Sequence, residues 1–127
     1  MDTLLLEVNW LALIVGAVAA FGLGWAWYSD MLFGERWREG IGISPDDTSS
    51  MMWAMAAQAF GTFFLAWVIA VAETFGSLQL VILLALTIGT IIKANGLFTQ
   101  KSHYAIGVEV GYIWLMVIVM VLTHGIL

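Results

Sequence analysis

The stretch VNWLALIVGAVAAFGLGWAWYS, residues 8–29, contains no Asp, Glu, Lys or Arg. A hydrocarbon core ~30 Å thick is crossed by ~20 apolar helical residues, because in lipid each backbone N–H and C=O must find its partner inside the segment. Three further charge-free stretches follow at residues 48–72, 74–92 and 110–127. The last is cut short by Glu109, and its helix is expected to start near Ser102 or His103. The pattern predicts an all-α membrane protein, one membrane domain over 1–127, with transmembrane helices at about 8–29, 48–72, 77–97 and 103–126.

Composition points the same way. Hydrophobic residues make up 62% of the 127 positions and charged residues 10%, far from the ~45–50% and ~25% of a soluble domain. The acids are scattered, so the net charge of −5 gives no reason to expect a nucleic-acid partner. Cysteine is absent, which removes disulfides, thiolate metal sites and cysteine nucleophiles. Asp2 and Glu7 stand where a signal peptide carries positive charge, so the first apolar run is read as a retained helix. The lipid bilayer is the expected surrounding.

All four basic residues fall on one side of the four crossings: Arg36 and Arg38 in the first loop, Lys93 and Lys101 around the third. The other side has only Asp2, Glu7 and Glu73. The positive-inside rule then puts both termini outside. Between the first two helices, residues 30–43 form an expected interfacial segment: Leu32, Phe33, Trp37 and Ile41 recur at helical spacing, with Glu35, Arg36, Arg38 and Glu39 opposite. Gly40 and Gly42 should end it, and Ser44-Pro45-Asp46-Asp47 reads as the capped start of helix two.

In lipid, helices approach closely through small side chains. Ala12, Gly16, Ala20 and Gly24 recur every four residues and make one smooth stripe. It faces either another helix of the same chain or a seam between copies. Ala57 and Gly61, and Gly107 and Gly111, are matching smooth sites.

Charge within the hydrocarbon marks where chemistry could sit. Lys93 and Glu109 lie ~10 to 14 Å deep from the same turn, at 1.5 Å per residue, and form a candidate intramembrane pair. A possible polar path adds Gln58, Asn95 and Tyr112. Met116, Met120 and His124 share a face that could offer soft ligands, yet His124 lies at the opposite end from Met51, Met52 and Met55, so no metal site is expected. His103 and His124, ~31 Å apart on one helix, cannot share a haem. No catalytic motif occurs, and no cofactor or enzyme activity is expected.

The run Asn9-Trp10-Leu11-Ala12, then Trp27-Tyr28-Ser29, Leu32-Phe33-Gly34 and Trp37, resembles the bacterial membrane family called domain of unknown function 1761. Asn95-Gly96-Leu97-Phe98 and Gly111-Tyr112 extend the likeness, while Thr99-Gln100-Lys101 stands where the family carries an acidic-basic run. The resemblance implies a small integral protein of the bacterial inner membrane, with Trp27, Tyr28, Ser29, Phe33, Gly34 and Trp37 as its motif, and it carries no activity across. Two functions stay open. One is a structural or accessory helix-packing protein that forms a homo-oligomer or joins a membrane complex; the other is a small oligomeric transporter or channel with a proton or cation site around Glu109 and Lys93.

Overall fold

The computed structural model describes residues 2–29, 31–42 and 51–127. Among them are six helices: α1 Asp2–Leu5, α2 Trp10–Trp27, α3 Gly34–Ile41, α4 Met51–Thr74, α5 Leu78–Phe98 and α6 His103–Ile126. Four of these, α2, α4, α5 and α6, are long and apolar enough to cross a membrane. The chain is a multi-pass helical membrane protein, and α6 runs through the middle with α2, α4 and α5 around it.

Local chemistry sets the helix ends. Asn9 caps α2, its side-chain oxygen accepting from the Ala12 N–H at 3.1 Å, so the first crossing begins at Trp10 rather than Val8. Ser77 and Ser102 cap α5 and α6 in the same way, each satisfying a donor that the first turn leaves orphaned. α4 runs two residues past the expected boundary, to Thr74. The proposed start of that helix at Ser44-Pro45-Asp46-Asp47 lies outside the described residues. α3 occupies the middle of the 30–43 segment and stops at Gly42, whose φ of 77° is the left-handed turn that glycine takes without strain.

α1 has no counterpart among the expected helices. Its end is tied down by two indoles: Trp10 Nε1 donates to the Leu5 carbonyl at 2.6 Å and Trp67 Nε1 to that of Leu4 at 2.7 Å. These are carbonyls that the short helix cannot satisfy itself.

The stripe on α2 is spent inside the chain. Ala12, Gly16, Ala20 and Gly24 are all buried. A methyl group on Gly16 would meet Thr123 Oγ1 at 2.8 Å, and one on Gly24 would run into the Tyr112 hydroxyl. Tyr112 in turn donates to the Ala20 carbonyl at 2.7 Å. Backbone and ring thus sit against each other because nothing projects between them. On α5 the matching surface is Ala85, Gly89 and Gly96. Trp114 lies over the first two, its Nε1 donating to the Ala85 carbonyl at 3.1 Å, and Ile106 fills the space over Gly96.

α4 is used unevenly. Its second half supplies Thr62, Leu65, Ala66, Ile69, Ala70 and Ala72 to the core. Across residues 52–61 no side chain is buried.

Candidate functional site

The polar chemistry concentrates where α2 ends, the chain bends, and α3 lies against the first turns of α6. The bend is a set of backbone bonds: Phe33 N–H to the Trp27 carbonyl at 3.3 Å, Gly34 N–H to Ser29 at 2.9 Å. Ser29 Oγ closes the last turn of α2 on the Ala26 carbonyl at 2.7 Å. Gly34 sits so close to the Tyr28 carbonyl that a Cβ there would overlap backbone. Gly40 is pressed equally hard against Ser102, whose N–H donates to the Gly40 carbonyl at 2.9 Å. Two glycines therefore let α3 approach both its own bend and the turn before α6.

Aromatic rings fill the corner. Trp27 and Phe33 have centroids 4.6 Å apart, Tyr28 and Trp37 4.7 Å, and Tyr28 and Tyr112 5.4 Å, the last two edge-on, in the range where ring quadrupoles attract. Trp27 Nε1 donates to the Val108 carbonyl at 2.9 Å, and the smooth surface of Gly111 receives its ring. The Arg36 guanidinium lies 4.0 Å over the Tyr104 ring, a cation–π contact.

Glu109 is the charge at the centre of this corner. Lys101 Nζ donates to both of its carboxylate oxygens at 3.1 Å, and Trp37 Nε1 donates to Oε2 at 2.9 Å. The carboxylate is 15% exposed and the lysine side chain 32%. Burial first, then the Glu109 charge and then Tyr112, push the Tyr28 phenol well above its ordinary range, so it stays protonated beside the carboxylate.

The expected Lys93–Glu109 pair is corrected here. Lys93 is exposed on α5, and the cation on Glu109 comes from the turn. Depth along a helix says nothing about direction around it, and Lys101, just before α6, can lay its stem back along the same helix to reach residue 109. The other residues of the supposed path are scattered. Asn95 is exposed. Gln58 donates to Thr62 Oγ1 at 3.1 Å and to Met116 Sδ at 3.9 Å, and the Tyr112 hydroxyl is committed to Ala20. Met116 and Met120 are buried packing residues. Among the described residues no group of three His, Asp or Glu could hold a metal.

The six motif residues Trp27, Tyr28, Ser29, Phe33, Gly34 and Trp37 thus form one corner, and Glu109 and Lys101 are joined to it. The chain matches, over residues 11–125, the model of a family described as protein of unknown function, DUF1761. The chain belongs to the DUF1761 family. No curated protein and no solved structure matches it. In this DUF1761 protein the corner is built to hold α3 in place: the Glu109 carboxylate, the Arg36 guanidinium and the indoles of Trp27 and Trp37 all have partners. The residues that sequence reasoning missed are Lys101 as the partner of Glu109, and Gly40 and Ser102 as the second point of attachment. The Gly40-x-Gly42 spacing was legible as a helix end, but not as a contact.

Proposed function

We propose that this chain is a non-enzymatic accessory protein of the bacterial inner membrane that self-associates through the exposed half of α4. The observation that carries it is the uncovered face of residues 52–61, where Ala54, Ala57 and Gly61 fall at i, i+3 and i+7, and nothing lies within 4 Å of a Cβ placed on Gly61. The stripe on α2 already packs on α6, so this is a smooth surface still open to a partner. In lipid such a surface gains from close helix approach rather than from apolarity, and a second copy presents the same face back to it, which is the geometry of a two-fold interface.

The positive-inside rule places the end carrying Arg36, Arg38, Lys93 and Lys101 in the cytoplasm and both termini outside. α3 then lies at the cytoplasmic interface, held by the corner. The transporter reading gains little support from Glu109, whose oxygens are occupied by Lys101 and Trp37.

Because there is no native cysteine, Gly61→Cys gives a clean cross-link in native membranes. Gly61→Cys is expected to form a disulfide-linked dimer, and Leu86→Cys, exposed on α5, is expected to stay monomeric. Single-molecule photobleaching of the labelled chain should show two steps, reduced to one by Ala57→Leu. One-step bleaching of the unmodified chain at every lipid density would remove the reading.

A further inference from the structure

At the end of the bundle opposite the corner, α4, the turn into α5 and the last turns of α6 line a cavity of about 260 Å³. Its wall is largely apolar, with Ile69, Leu78, Val81 and Val121, and two polar side chains, Glu73 and His124, stand in it. Neither is used by the fold. Glu73 is exposed at the mouth, its carboxylate in no ion pair or hydrogen bond among the described residues, whereas His124 Nδ1 is sealed from solvent without a hydrogen-bond partner. A buried polar nitrogen left unpaired is costly, so its position needs an explanation.

We infer that this cavity binds a primary ammonium carried on a short apolar body. An ammonium has three donors and no acceptor. One fits a carboxylate, and a second fits the lone pair of a neutral imidazole. An anion would meet Glu73 directly and the field of Asp2 and Glu7 at the same end, where the sequence has no Lys or Arg. A metal ion would find only two ligands, since no third His, Asp or Glu joins them among the described residues. The volume equals roughly nine waters, room for a headgroup and a short alkyl stem against the aliphatic wall. Two sources carry this chemistry: a free alkylamine, and the ethanolamine headgroup of a phospholipid.

The test uses the full chain in nanodiscs of phosphatidylcholine, whose quaternary ammonium has no N–H to donate, and titrates butylamine by calorimetry. Saturable binding is expected. It should weaken about tenfold in Glu73→Gln, the scale of one hydrogen bond to a charged group, and disappear in Val81→Trp, which fills the cavity. Butyltrimethylammonium should bind at least tenfold more weakly than butylamine. Adding phosphatidylethanolamine to the discs then separates the sources: a fall in apparent butylamine affinity assigns the site to the lipid, and an unchanged affinity assigns it to free amines. Equal binding of the two butyl cations, an unchanged affinity in Glu73→Gln, or no saturable binding would overturn the proposal. If Val81→Trp fails to fold, Glu73→Gln still decides it, because that carboxylate supports no contact in the fold.

Discussion

The two ends of the bundle treat their carboxylates in opposite ways. At the end holding α3, Glu109 is met by Lys101 and Trp37, Trp27 by the Val108 carbonyl, and Arg36 by the Tyr104 ring. At the other end Glu73 and His124 face a cavity with no partner for the carboxylate or for Nδ1. A carboxylate matched by its own chain serves the fold, while an exposed one beside an apolar wall is available to something else. The contrast makes a simple demand on mutants: removing the matched carboxylate or its partners should cost stability, and removing the Glu73 carboxylate should not.

The largest cost is expected at Gly34. A Cβ there overlaps the Tyr28 carbonyl, which is backbone and cannot rotate away. Gly34→Val should destabilise by about 3 kcal/mol, the upper range for overpacking, seen as a lower thermal midpoint in lipid nanodiscs and as faster proteolysis of α3. Next comes the ion pair. Lys101→Met leaves a largely buried carboxylate with only the Trp37 indole, and should cost about 1–2 kcal/mol, less than a fully buried pair because the lysine is partly solvated. Lys101→Met and Glu109→Gln should couple by about 1 kcal/mol in a double-mutant cycle, whereas Lys93→Met and Glu109→Gln should add to within ~0.3–0.5 kcal/mol. Coupling to Lys93 instead would reverse the assignment. Tyr112→Phe deletes one hydrogen bond inside the bundle and keeps the ring against Gly24, so its cost should be near ~0.6 kcal/mol, the average for such bonds between membrane helices.

Much of this architecture was legible. Four charge-free runs specify four crossings, because lipid penalises charge along the whole length of a helix. The small residues at 12, 16, 20 and 24 specify a close contact, because their spacing keeps them on one face. The choice between α6 and a second copy as the partner was not legible, since both offer the same lipid-like environment. The partner of Glu109 was misread for a related reason. Sequence distance fixes height along a helix, but Lys101 sits in a turn where Gln100 takes a positive φ of 62°, and no periodicity reports which way its side chain runs. The Ala85-Gly89-Gly96 surface on α5 had a weaker spacing signal than the stripe on α2 and became visible only with Trp114 and Ile106 seated on it. The cavity had no signal at all. Its walls come from separate helices, and Glu73 and His124 are 51 positions apart in the chain.

The smallest expected effect is also the sharpest test of the comparison. Glu73→Gln removes a charge from the bundle, as Glu109→Gln does, and both replacements keep shape and hydrogen-bonding capacity. If carboxylates near the membrane surface mattered to stability simply by being charged, the two variants would behave alike. The structure ties Glu109 to a lysine and an indole and ties the Glu73 carboxylate to nothing, so Glu73→Gln should change the unfolding free energy by less than ~0.5 kcal/mol, the range of a surface substitution that breaks no specific contact. Removing a carboxylate that lies within electrostatic reach of the His124 ring should leave the fold intact while altering what the cavity accepts. A cost equal to that of Glu109→Gln, measured by the same thermal unfolding in the same lipid, would mean that Glu73 has a structural partner and that the two ends are built alike.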